Sequence, residues 1–279
     1  MFEDTVFAAF KRWKLTPAML YKLEVVLSEK IPYIINFTPR SGSSFLADCL
    51  TRSKLAGVPD EYLNPDFVPG MIDILRKRGR SVDRFIEYMM WMLQMRSTKN
   101  GVVGVKVSYF QFKPFIDTGL DRLFFGRFKP FLLSRRNIIK QAVSLYIATE
   151  TQLFHTNVDN PVERIEAARH LEYNQTRIRY WVEHVWLQEI GWNKYFQRNV
   201  VKPAVIEYDD LMRAPAMVVG HILEQLGVLP DDMPNVAESA FKIVRTERNT
   251  ELASIFLSDD ANREYLSSMG ISEDRFEGE

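Results

Sequence analysis

Four short runs along the chain are almost wholly apolar and rich in β-branched or aromatic residues. They are Tyr33 to Phe37, Val102 to Val107, Pro130 to Ser134, and Ala204 to Tyr208. Runs of this length bounded by polar or turn-forming residues predict strands buried on both faces. Between them the apolar positions recur at helical spacing. In SVDRFIEYMMWMLQM, Val82, Phe85, Ile86, Met89, Met90 and Leu93 share one face, so the methionines read as core. A helix should follow SRRN, and a long one should run through VERIEAARHLEYNQTRIRYWVEHVWLQEIGWNKYFQ. PAMVVGHILEQLGV supplies a further helix. Strands alternating with helices predict an α/β fold, with a central, mostly parallel sheet flanked by helices. Ligands of such sheets lie beyond the C-terminal strand ends. Here the polar clusters fall at those ends.

There is no internal repeat and no low-complexity tract, and 279 residues with 46% hydrophobic content suit one α/β domain over 1–279. Thirty-six basic residues balance thirty-six acidic ones, so no global field favours nucleic acid. The single cysteine, Cys49, falls on the apolar face of a helix and reads as a small core residue in a reducing compartment. The start, MFEDTVFAAFKRWKL, lacks a basic segment followed by a long apolar stretch, and no window has the length of a membrane span. These features predict a cytoplasmic protein with no integral membrane segment. His155, His170, His184 and His221 show no ligand spacing, and no cluster calls for a metal.

The first polar cluster is TPRSGSSFL, directly after the strand PYIINF. Phe45, Leu46, Cys49 and Leu50 then repeat at helical spacing, which places Arg40, Ser41, Gly42, Ser43 and Ser44 at a strand-to-helix turn. Such a turn presents backbone N–H groups and a helix N-terminus to a tetrahedral anion. The alternative is an ordinary helix cap with a solvated arginine. The turn is no Walker A loop, since G-x-x-x-x-G-K-[ST] is absent. The second cluster is FLLSRRNIIKQAVSLYIA, where a strand ends at Ser134, Arg135 and Arg136 follow, and the next helix carries Gln141 and Ser144. Arg135 and Ser144 can converge on a second anion, or stand as a solvated arginine and a surface serine.

Taken together, the two clusters resemble those of the sulfotransferases that use 3′-phosphoadenosine 5′-phosphosulfate (PAPS). In that superfamily a P-[KR]-S-G-[ST]-[ST] turn holds the 5′-phosphosulfate and an arginine followed by a serine holds the 3′-phosphate. TPRSGSS and the stretch from Arg135 to Ser144 match both. RSGSSFLADCL, AGVPDEYL, GVVGVKV, SRRNIIKQAVSLYIATETQLF and EIGWNKYFQRNVVKPAVIEYDDL resemble, in order, the bacterial trehalose 2-sulfotransferase branch, related to the nodulation and lipopolysaccharide sulfotransferases. The likeness runs from residue 32 to about 226.

The resemblance implies a P-loop-like sulfotransferase fold, with residues 1–30 as a helical N-terminal extension and 227–279 closing over the nucleotide. It implies PAPS as donor, PAP as product, no metal, and a carbohydrate or glycolipid hydroxyl as acceptor. A homodimer is implied in the same way. Animal-type cytosolic enzymes place a histidine base shortly after a strand lysine, where this chain has Lys106-Val107-Ser108. The trehalose-type enzymes use a glutamate in G-x-P-x-E-[FY], which carries the base to Glu61 in GVPDEYL. Asp60 competes for that role, and Tyr62 would line the acceptor pocket. Arg40 would neutralise the leaving group, Tyr208 would pack near the adenosine, and Arg245 and Arg248 would close over the nucleotide. Burial beside the site is expected to raise the Glu61 pKa and strengthen it as a base. A kinase-like phosphotransferase and a non-catalytic protein that binds PAP or PAPS remain as rival readings.

Overall fold

The structure, a computed structural model, describes residues 5–276 except 12, 81, 125, 155–159, 230–235 and 237–246. Its centre is a four-stranded sheet of β1 (Ile31–Phe37), β2 (Val102–Ser108), β3 (Lys129–Ser134) and β4 (Ala204–Glu207), in the order β2-β1-β3-β4. Every pairing is parallel: Ile31 lies opposite Val102, Tyr33 opposite Lys129, and Phe131 opposite Ala204. The four expected strands are all present. The helices among the described residues are α1 (Pro17–Ser28), α2 (Ser43–Arg52), α3 (Val68–Lys77), α4 (Phe85–Met95), α5 (Tyr109–Thr118) and α6 (Ile138–Thr151). They continue with α7 (Pro161–Arg169), α8 (Gln175–Arg198), α9 (Tyr208–Arg213), α10 (Pro215–Gln225), α11 (Glu247–Ser258) and α12 (Asp260–Ser268).

The sheet is covered on both faces, and the two-residue period of a strand decides which side chain enters which layer. Tyr33, Ile35 and Phe37 pack with Leu46, Leu50, Val219 and Leu223 from α2 and α10. Ile34, Val103, Val105 and Val107 join the opposite core with Phe85, Met89, Phe112 and Trp192. Val6, Phe7 and Phe10 pack into that same core. A third cluster joins α6, α7, α8, α11 and α12. Gly104 permits the close fit between β2 and β1: a Cβ there would lie 2.3 Å from the Tyr33 ring. No helix among the described residues is long and apolar enough to cross a membrane.

Two expected elements differ. The long helix is broken into α7 and α8, because Asn174 starts a new helix by accepting a hydrogen bond from Arg177 N at 3.0 Å. Tyr208 does not end β4 but opens α9. Both boundaries matter for the site, since α8 runs behind the end of β1, where Trp192 Nε1 donates to Phe37 O at 3.1 Å.

Candidate active site

After Phe37 the chain makes a tight turn with two residues in the left-handed region, Arg40 (φ 65) and Gly42 (φ 91). Gly42 is the N-cap of α2, and glycine is needed there on two grounds. Its φ suits a residue without Cβ, and a Cβ would stand 3.0 Å from Tyr208 Cδ2. The first amides of a helix have no acceptor within it, and glycine at the N-cap offers those of α2 no side-chain cap. The first i to i−4 bond runs from Leu46 N to Gly42 O. Ser41 is buried, and its Oγ has no hydrogen-bond partner among the described residues. A turn with uncapped amides, a buried unpaired hydroxyl and a positive helix end is suited to an anion.

The second cluster meets this turn. Arg135, 8% exposed, donates from Nη1 to Arg40 O at 2.9 Å and lies over the Tyr208 ring, 4.5 Å from its centroid. Left-handed backbone at a non-glycine residue costs about 1–2 kcal/mol, and this bond helps hold Arg40 in it. The Arg40 guanidinium donates from Nε to Ser144 Oγ at 3.1 Å and from Nη1 to Phe154 O at 2.7 Å. Gln141 Nε2 donates to Thr38 Oγ1 at 2.8 Å and to Pro39 O at 2.6 Å. Arg135 and Ser144 both reach this turn, but the guanidinium on Ser144 is that of Arg40. Tyr208 enters beneath both Gly42 and Arg135.

A carboxylate completes the arrangement. The backbone of Asp60 bridges to Val105 on the outer edge of β2, with Lys106 N donating to Asp60 O at 3.1 Å. That register brings Glu61 beside Lys106, whose Nζ is 3.1 Å from Glu61 Oε1 and donates to Ser44 Oγ at 3.2 Å. Gln111 Nε2 and Asn64 Nδ2 donate to Glu61 Oε2 at 2.7 and 2.9 Å. Gln111 is itself fixed by a capping box: its Oε1 accepts from Ser108 N while Ser108 Oγ accepts from Gln111 N. Burial pushes the Glu61 carboxyl up, but the Lys106 charge and the hydrogen bonds from Gln111, Asn64 and Lys106 outweigh it and hold it below its ordinary value. The expected rise is therefore corrected: Glu61 is a firmly ionised carboxylate. Asp60 instead turns its Oδ1 back to accept from Glu61 N at 2.8 Å.

Other expected residues lie elsewhere. Tyr62 is 3% exposed, donates to Val58 O at 2.5 Å, and sits in the core under Tyr88, whose hydroxyl donates to Tyr62 O. Arg248 donates to Leu171 O at 2.8 Å and pairs with Glu251, and none of its contacts among the described residues reaches the turn. Arg245 and His155 lie outside the described residues. Cys49 is buried, and burial pushes its thiol up to about 11, which suits a core residue. Among the described residues no group of His, Cys, Asp and Glu is placed to hold a metal ion. Sequence reasoning missed Lys106, Asn64 and Gln111 as neighbours of the carboxylate. One signal was present: a lysine inside the buried run VVGVKV needs a partner for its charge.

Comparison with known proteins adds to this geometry. The chain is 25% identical over 234 residues to the trehalose 2-sulfotransferase of Mycolicibacterium smegmatis, covering 71% of this chain and 85% of that one. It is also 25% identical over 236 residues to the trehalose 2-sulfotransferase of Mycobacterium tuberculosis, covering 73% and 86%. A crystal structure of a sulfotransferase from Alicyclobacillus acidocaldarius covers 84% of this chain and 95% of its own, at 18% identity and a TM-score of 0.41. The model of the Stf0 sulphotransferase family matches residues 32–257, a span that holds the turn, Glu61, Lys106, Arg135 and Ser144. The chain belongs to the Stf0 sulphotransferase family.

Proposed function

We propose that this sulfotransferase takes a sulfuryl group from PAPS and places it on a hydroxyl of a carbohydrate or glycolipid, with Glu61 as the base. The observation that carries this reading is the unbroken contact from Ser44 through Lys106 Nζ to the Glu61 carboxylate. It links the anion-binding turn to a base through one buried cation.

The residues present fit the donor. The uncapped amides of α2 and the unpaired Ser41 Oγ suit its 5′-phosphosulfate, with Ser43 and Ser44 beside them. Arg135, Ser144 and Tyr208 surround the neighbouring position, where a 3′-phosphate and adenosine would be recognised. When bound, PAPS supplies the sulfuryl group and leaves as PAP. Arg40 within the turn and Lys106 beside Ser44 offer positive charge to the oxygen that gains charge, the kind of preorganised stabilisation that dominates group transfer. Glu61, held in place by Lys106, Gln111 and Asn64, takes the acceptor proton as the hydroxyl attacks. Its lowered pKa leaves it ionised at neutral pH but a weaker base than an ordinary glutamate, so its part in the reaction rests on its position. Tyr62 buttresses that segment from within the core. The names of the two mycobacterial relatives support a sugar hydroxyl as acceptor. A second copy across the acceptor side follows from the resemblance.

The test is incubation with PAPS and trehalose, read by mass spectrometry. A sulfated sugar formed in step with PAP supports the reading. Transfer that instead needs ATP and magnesium would replace it with a phosphotransferase.

A further inference from the structure

The residue that grips the 3′-phosphate in this reading, Arg135, sits at the start of the β3-to-α6 turn, Arg135-Arg136-Asn137. That turn is held from outside by a segment of the chain that lies beyond the family match at residue 257. Arg275 donates from Nε to Arg136 O at 2.8 Å and from Nη2 to both carboxylate oxygens of Glu189 on α8, at 2.9 and 2.8 Å. In the reverse direction Arg136 donates from Nε to Asp274 O at 3.1 Å and pairs with the Asp274 carboxylate at 3.2 Å. Asn137, the N-cap of α6, donates from Nδ2 to Phe276 O at 3.4 Å. The segment is itself anchored: Ile271 and Phe276 are buried in the core formed by α6, α8, α11 and α12, and Trp186 Nε1 on α8 donates to Met269 O at 3.0 Å.

This pattern is more than a surface ion pair. Both oxygens of one carboxylate and a backbone carbonyl share a single guanidinium, and Arg275 and Glu189 are each largely shielded from water. Arginine is suited to this because its donors lie in one rigid plane and can serve several acceptors at fixed angles. The acceptor is also informative. Arg275 holds the carbonyl of the residue directly after Arg135, and so sets the backbone from which the Arg135 side chain departs. The C-terminal residues therefore act on the end of β3 and not only as a cover.

We propose that the segment 271–276 is a latch, with Arg275 as the positioning residue that sets Arg135 for recognition of the donor's 3′-phosphate. The inference rests on the reading that Arg135 contacts that phosphate. Without the latch the turn loses four hydrogen bonds, those of Arg275 to Arg136 O, of Arg136 to Asp274 O and to the Asp274 carboxylate, and of Asn137 to Phe276 O. Small misplacement of a charged donor is costly at a site that depends on geometry. The effect should fall on the 3′-phosphate and spare the 5′ end, whose turn is built by β1 and α2.

The experiment is calorimetric titration of PAP and AMP into wild type, Arg275→Ala and Arg275→Lys, with a thermal melt of each. Arg275→Ala should weaken PAP by about tenfold or more while AMP binding stays nearly constant, so that PAP-over-AMP selectivity collapses. Arg275→Lys keeps the charge but cannot serve all three acceptors, and should fall between. If Arg275→Ala is folded and keeps its selectivity, the latch proposal is wrong. Loss of PAP and AMP affinity in equal proportion also overturns it, since that is the mark of a general structural defect. If Arg275→Ala does not fold, Glu189→Gln gives the same readout with the shape kept. A wild-type protein that binds PAP and AMP equally removes the Arg135 reading itself, which separates the two failures.

Discussion

Lys106→Met tests whether the buried ion pair is what holds Glu61 ionised. The substitution keeps much of the side-chain volume at a position 4% exposed but removes the cation paired with Glu61. At 3.1 Å and an effective dielectric of about 20, the gross attraction is about 5 kcal/mol. Leaving one partner of a buried pair without the other costs about 3–5 kcal/mol at neutral pH. The pH dependence then reverses. In the wild type the folded pKa is depressed, so Glu61 contributes stability that is complete above its unfolded value of about 4.3 and is lost as pH falls through the folded value. In Lys106→Met only the hydrogen bonds from Gln111 and Asn64 still oppose burial, so the folded pKa should rise; once it passes the unfolded one, the penalty of the buried carboxylate fades as pH drops through that raised value. Urea denaturation should show a deficit of about 3–5 kcal/mol at pH about 7.5 that shrinks by pH about 5. The double variant with Glu61→Gln should recover most of the loss. A deficit equal at both pH values, with no recovery in the double variant, would refute the coupling.

Three further outcomes follow from the turn and from α8. Gly42→Ala should cost about 1–3 kcal/mol by urea denaturation, since it adds a Cβ both at a left-handed φ and against the Tyr208 ring. Arg40→Ala removes the contacts to Ser144 and Phe154 O; steady-state kinetics should show kcat falling by about 10²-fold or more with a smaller change in PAP affinity. Asn174→Ala should lower stability by about 1 kcal/mol, because its Oδ1 caps α8; an unchanged urea midpoint would mean the cap carries no weight.

The four strands were legible because a parallel sheet covered on both faces needs near-continuous apolar runs. The turn was legible because Arg40 to Ser44 are contiguous and break an apolar run. The α7–α8 break was not, since the apolar period continues through Leu171 and the decisive event is one amide cap at Asn174. The partners of Glu61 were also hidden. Lys106 and Gln111 lie 45 and 50 positions away, and only the pairing of Asp60 with Val105 brings them together. The Arg40–Ser144 contact belongs to the same class, because it depends on how two strand ends sit side by side. Spacing shows which residues a helix or turn presents; it does not show which of two arginines a serine meets.

The most direct test of the account is single-turnover sulfuryl transfer from PAPS to trehalose by Glu61→Gln and Asp60→Asn, with PAP affinity measured in parallel. Gln keeps the size of Glu61 but cannot accept a proton. Transfer should fall by about 10²- to 10⁴-fold in Glu61→Gln with PAP affinity nearly unchanged. Asp60→Asn should remain close to wild type, because its side chain serves the backbone amide of Glu61. Near-normal transfer by Glu61→Gln, or loss confined to Asp60→Asn, would contradict the assignment of the base.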